Sequence, residues 1–129
     1  MTRYHLDTSF LIDWQRGDFR IARLRDEILN GDHEITFDPI VETEYVQVPV
    51  LTREAELLFE SIETLGSRVD LSSGICRQAA MWLAPMDTQE RKQHFGDALI
   101  AAAATRSSAI VLAADKRIGK VFPVAVETY

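Results

Sequence analysis

The run SAIVLAA, residues 108–114, constrains the fold more than any other stretch. Between Ala109 and Ala114 no polar residue alternates to face water. Such a run reads as a parallel strand covered on both faces. Parallel strands need long crossover connections, usually helices, and the rest of the chain supplies them. Further strands are predicted at 3–6 (RYHL), 33–38 (HEITFD), 68–71 (RVDL) and 123–128 (PVAVET). Apolar periodicity predicts helices at 9–15, with Thr8 as N-cap, and at 18–29, 52–65, 73–84 and 96–105. Another helix starts at Pro39 and ends before Pro49, with Ile40, Val41, Tyr45 and Val48 as its packing stripe. Residues 115–120 form a short turn or helix. Strands alternating with helices imply an α/β sandwich around a mainly parallel sheet.

The 129 residues suit one domain, 1–129, and 47% hydrophobic content is enough to bury a core. Cys76 is the only cysteine, which suits a reducing compartment. No charged start leads into an apolar segment, and no apolar run could span a bilayer. The expectation is a soluble cytoplasmic protein with no membrane partner. A net charge of -6 argues against nucleic acid at first sight. The distribution is uneven, however. Arg91, Lys92, Arg106, Lys116, Arg117 and Lys120 crowd residues 91–120 against only Asp97 and Asp115. That segment is either an ordinary mixed surface or a dock for a polyanion beside metal-bound carboxylates.

In α/β sheets, sites lie at the carboxyl ends of the strands, near the point where strand order reverses. This rule selects among the acids. Asp7 follows the first strand and Asp115 follows the buried apolar strand. Asp97 opens the predicted small-residue helix, where a helix N-terminus would favour its charge. Glu44 borders the packing stripe of its helix, whereas Glu42 points away from it. Each acid alone also has a structural explanation: Asp7 or Asp97 as a cap, Asp115 in a turn, Glu44 solvated or paired. Together, four carboxylates on one edge repel, and a hard dication such as Mg²⁺ or Mn²⁺ relieves that repulsion. Asp13, six residues beyond Asp7, reads as a polar helix residue.

The segments HLDTSFLID, ITFDPIVETEYV, GDALIAAAAT and IVLAADKRIGKVFPVAVE give the chain its resemblance to PIN-domain nucleases. It looks most like the VapC-type toxins of prokaryotic toxin–antitoxin pairs. The resemblance implies a PIN-like three-layer α/β/α sandwich with four or five strands. It implies that Asp7, Glu44, Asp97 and Asp115 bind one or two Mg²⁺ (or Mn²⁺) ions and that the reaction is endoribonucleolytic. The substrate would be RNA, often a tRNA or rRNA loop, attacked by water activated at the metal. A homodimer and a cognate antitoxin are also implied. Thr8 and Ser9 are candidates to bond a ligand carboxylate, and Arg91, Lys92, Lys116 and Arg117 to contact phosphates. The chain departs from the family in placing Ala113 where Thr or Ser is usual.

His94 reads as a surface or capping residue, and Trp14, Tyr45 and Trp82 as core or dimer packing. RGD at 16–18 reads as a turn and helix start. Three rivals remain. A haloacid-dehalogenase-like phosphatase needs a second acid two residues after Asp7, where this chain has Ser9. A PIN nuclease of RNA maturation and a catalytically weak PIN domain that binds protein or RNA are the others.

Overall fold

Among the described residues, five parallel strands make the sheet: β1 Arg3–Leu6, β2 Glu34–Phe37, β3 Ser67–Arg68, β4 Ile110–Leu112 and β5 Val126–Glu127. The computed structural model describes residues 1–47 and 52–129. Val48 and Pro49, expected to finish a helix, lie outside the described residues. The strands run in the order β3-β2-β1-β4-β5. The chain therefore builds outward from β1 to one edge, then returns to add β4 and β5 on the other side. The order reverses between β1 and β4. Leu6 stands beside Leu112, and the Asp7 N–H donates to the Leu112 carbonyl at 3.0 Å.

The described helices are α1 Thr8–Gln15, α2 Ala22–Leu29, α3 Pro39–Val46, α4 Thr52–Leu65, α5 Ser73–Leu83, α6 Thr88–Arg106 and α7 Arg117–Val121. None is long and apolar enough to cross a membrane. Helix α1 packs against α3 and α4, and α5 against α6. With the right-handed crossovers that are the rule for parallel strands, this strand order puts α1–α4 and α5–α7 on opposite faces of the sheet. Strand residues are accordingly buried on both faces: Tyr4, His5 and Leu6 in β1, and Ile35, Thr36 and Phe37 in β2. Ala98–Ala104 of α6 are all buried. Alanines let that helix pack closely against the sheet and its neighbours at once.

Several boundaries differ from expectation for identifiable reasons. Asp7, not Thr8, is the N-cap of α1, accepting from the Ser9 N–H at 3.1 Å. The predicted helix at 18–29 begins with a 3₁₀ turn, Phe19–Ile21, capped by Asp18, and becomes α-helical only at Ala22. Its buried stripe of Ile21, Leu24 and Ile28 is as the periodicity predicts. Gly17, in the RGD turn, and Gly31, closing α2, have positive φ of 69° and 79°, which glycine adopts without strain. The third strand shrinks to two residues and the fifth to Val126–Glu127.

The largest difference is α6, predicted as 96–105 and observed as Thr88–Arg106. Its cap is Asp87, which accepts from Glu90 N at 2.9 Å while Glu90 Oε1 accepts from Asp87 N at 3.3 Å. This reciprocal capping box starts the helix two turns earlier. Asp97 therefore sits mid-helix and does not have the helix N-terminus expected for it.

Candidate active site

Three of the four selected acids line one open cleft of about 390 Å³ at the carboxyl end of the sheet: Asp7, Asp97 and Asp115. Ser9, Gln93, His94, Ala113, Arg117, Ile118, Lys120 and Val121 complete its lining. Asp7 is presented by the β1–α1 turn. Ser9 holds it, donating its hydroxyl to Asp7 Oδ2 at 2.6 Å. The same Ser9 oxygen accepts from Ala114 N at 3.0 Å, just beyond β4. Ala113 has no hydroxyl to offer, and Ser9 ties the ends of β1 and β4 together at this point.

Glu44 stands behind the cleft on α3. Its Oε1 accepts from Thr8 Oγ1 at 2.7 Å. Burial raises its pKa above the ordinary carboxylate value, and the negative charges of Asp7, Asp97 and Asp38 add to the rise. The Thr8 hydrogen bond opposes it. Glu42, on the other side of α3, pairs with Arg68.

Asp97 is half-buried and has no hydrogen bond to protein among the described residues. Burial raises its pKa first, and Asp7 raises it further, with a smaller contribution from Asp115. The charges of His94 and Arg117 pull the other way without cancelling the shift. Asp115 is the exception. It is exposed and turned onto Arg117, accepting from Arg117 N at 2.9 Å and Nε at 3.0 Å. The Arg117 side chain and backbone donors hold its pKa below the usual value.

Among the described residues, no three His, Cys, Asp or Glu side chains close on a point where one ion could sit. The donor chemistry nevertheless suits a hard dication. All the donors are carboxylate oxygens, and among the described residues no cation fully balances Glu44 and Asp97, whose pKa values stay raised.

The basic residues selected from sequence do not all gather here. Arg117 lines the cleft, but Arg91, Lys92 and Lys116 do not. Arg91 Nε is committed to the Met86 carbonyl at 2.8 Å, and Lys116 is the residue before α7. Lys120 and Gln93 line the cleft instead and were missed. Lys120 lies one turn after Lys116 on α7, and Gln93 one turn before Asp97 on α6, so a correct register for these helices would have found both. His94, expected at the surface, lies in the cleft wall with its ring edge-on to Phe122, 6.3 Å between centroids. Trp82 packs on Phe122, Trp14 on Phe10, and Tyr45 is buried. Asp13 faces away from the cleft, accepting from the Tyr129 hydroxyl with Arg20 nearby.

The PIN-domain family model matches residues 4–122, from β1 through α7. The chain belongs to the PIN-domain family. Among curated protein sequences, none matches this PIN domain. Solved structures share its fold. The DNA-bound VapBC of Salmonella typhimurium superimposes with a TM-score of 0.75 at 16% identity, covering 99% of this chain and 98% of that one. VapBC2 of Rickettsia felis, bound to promoter DNA, gives 0.66 at 18% identity, covering 99% of both chains. VapC20 of Mycobacterium tuberculosis, a sarcin-ricin-loop-cleaving toxin, gives 0.67 at 21%, covering 91% and 93%.

Proposed function

We propose that this PIN domain is a metal-dependent endoribonuclease acting as the toxin of a VapBC-type pair. One observation carries the reading. Asp7, Glu44 and Asp97 lie near enough to one another, where the strand order reverses, for their charges to interact, and burial with that repulsion raises the latter two above ordinary carboxylates. A protein that keeps such charge without a matching cation is built to receive one. Asp7, Glu44 and Asp97 would hold the ion, with Asp115 as a fourth donor. A bound dication supplies positive charge to phosphate oxygens and makes water more acidic.

The chain's own residues do the rest. Ser9 fixes the Asp7 carboxylate and Thr8 orients Glu44. Arg117 and Lys120, at the cleft lining, meet the phosphates, so binding weakens with salt. RNA is the preferred substrate, a reading supported by the structurally similar M. tuberculosis toxin, which cleaves the sarcin-ricin loop. The VapBC structures support an antitoxin partner. Exposed Val121, in the cleft lining, and exposed Phe95, next in sequence to His94, provide apolar surface for such a partner or for a second copy in a homodimer. A cytoplasmic location accords with this role.

Purified protein, freed of antitoxin, is incubated with total RNA and Mg²⁺ or chelator, beside Asp7→Asn. Metal-dependent cleavage absent from the variant is the expected result. Equal RNA profiles for the two proteins would defeat the nuclease reading. A second reading has its own support: with Asp115 committed to Arg117, the fold could act as a binding module without cleavage. RNA retention on a filter without metal-dependent cutting would favour it.

A further inference from the structure

Gly96 occupies the interior of α6, a 19-residue helix, immediately before Asp97. Glycine is a poor helix former, and alanine in its place is the better one. A glycine at that position calls for a reason in the packing. A β-carbon built on Gly96 would stand 3.3 Å from Glu44 Oε2 and 3.6 Å from Ile40 Cγ2 of α3. The first distance is tighter than ordinary van der Waals contact. Glu44 is not free to retreat, because its other oxygen accepts from Thr8 Oγ1 at 2.7 Å. The carboxylate thus lies in a slot between the Thr8 hydroxyl and the bare backbone of α6.

Resting on the reading of Glu44 and Asp97 as ion ligands, we propose that Gly96 determines the ion selectivity of the site by fixing where the Glu44 carboxylate stands relative to Asp97. A methyl group at 96 shifts that carboxylate by a few tenths of an ångström. Mg²⁺ demands near-ideal octahedral geometry and feels such a shift strongly. Ca²⁺ accepts six to eight oxygens in flexible arrangements and feels it little. Gly96 is a positioning residue here, acting through Glu44.

The test titrates the full chain, stripped by chelator, with MgCl₂ and CaCl₂ in a calorimeter, and melts it in chelator. Gly96→Ala is expected to melt at the same or a higher temperature. Its Mg²⁺ Kd should weaken about tenfold and its Ca²⁺ Kd less than about threefold, because geometry and not charge has changed. In a Glu44→Gln background, Gly96→Ala should change the Mg²⁺ Kd by less than about twofold, as a cycle through one shared residue requires.

Equal losses for both ions would overturn the proposal, as would an unchanged Mg²⁺ Kd or a loss that persists undiminished beside Glu44→Gln. So would a lowered melting temperature with both ions weakened alike, which would make Gly96 a packing residue. Wild-type Mg²⁺ affinity in Glu44→Gln alone would overturn it by removing Glu44 from the site. Wild-type protein that neither binds Mg²⁺ nor cleaves RNA would remove the nuclease reading and this inference together.

Discussion

Asp38 and Asp97 are both acids drawn into the body of the protein, yet one is fully paired and the other is not. Asp38 is 0% exposed. Its Oδ1 accepts from Ile40 N at 2.8 Å and Val41 N at 3.0 Å, and Oδ2 lies 2.6 Å from His5 Nε2. The other His5 nitrogen is 2.8 Å from Thr36 Oγ1, and that hydroxyl donates to the Tyr4 carbonyl. Asp13 belongs to the same class, with Tyr129 as donor and Arg20 nearby. An acid that serves the fold comes with its donors, because an unpaired buried carboxylate is costly. Among the described residues Asp97 lacks them, and Glu44 has one, from Thr8. Stability is given up at the cleft to keep carboxylate oxygens available.

That contrast breaks most easily at its two extremes. Asp7→Asn should lower Mg²⁺-dependent RNA cleavage by roughly a thousandfold, a loss of about 4 kcal/mol in the transition state. Its melting temperature in chelator should change little, since an amide oxygen can still accept from Ser9. A cleavage assay and a melt on the same sample check both halves. Asp38→Ala should do the reverse. Leaving His5 Nε2 and two α3 N–H groups without their acceptor costs on the order of 3 kcal/mol. Chemical denaturation should show that loss, with surviving folded protein still cleaving. Asp13→Ala is the milder version, costing about 1–2 kcal/mol for the Tyr129 bond with cleavage per folded molecule unchanged. If Asp13→Ala instead abolished cleavage, the division between paired and unpaired acids would not hold.

Much of this was legible in the sequence because the evidence was local. The apolar run at 108–114 specified a strand buried on both faces, and strand-end position picked out Asp7 and Asp115 without any coordinates. Helix periodicity found the stripe of Ile21, Leu24 and Ile28. What escaped depended on context. DTQE at 87–90 is a capping-box pattern, but polar residues follow it, so the apolar period that marks a helix began only near Gly96. Asp97 was therefore placed at a helix terminus, whereas it lies in the third turn. The pairing of Asp38 with His5 spans 33 residues and exists only once β1 and β2 are side by side. The cleft membership of Lys120 and His94 likewise depends on how α6 and α7 dock, which no short window contains. Asp115 illustrates a further limit: its position was predicted from strand topology, but its commitment to Arg117 is a matter of side-chain conformation.

The smallest expected effect bears on the contrast most directly. The Asp97 pKa is raised, chiefly by burial and then by Asp7. Between the ordinary aspartate value, about 3.9, and its raised folded value, the folded protein binds more protons than the unfolded chain. Stability therefore falls as pH rises through that window, and above it the full cost is present. Asp97→Asn removes the charge and should stabilise the metal-free protein. With allowance for solvent screening at a half-exposed group, the gain is about 1 kcal/mol, or roughly 2–4 °C in Tm. Melts in chelator at pH 7 should show the variant above wild type, and the gap should close as pH falls through the raised Asp97 value and wild-type Asp97 protonates. Saturating Mg²⁺ should reverse the order, because only wild type gains the ligand's binding free energy. A substitution that raises stability without metal and lowers it with metal would mark Asp97 as an acid kept for a cation. A variant less stable than wild type under both conditions would place it with Asp38 among the acids that hold the fold.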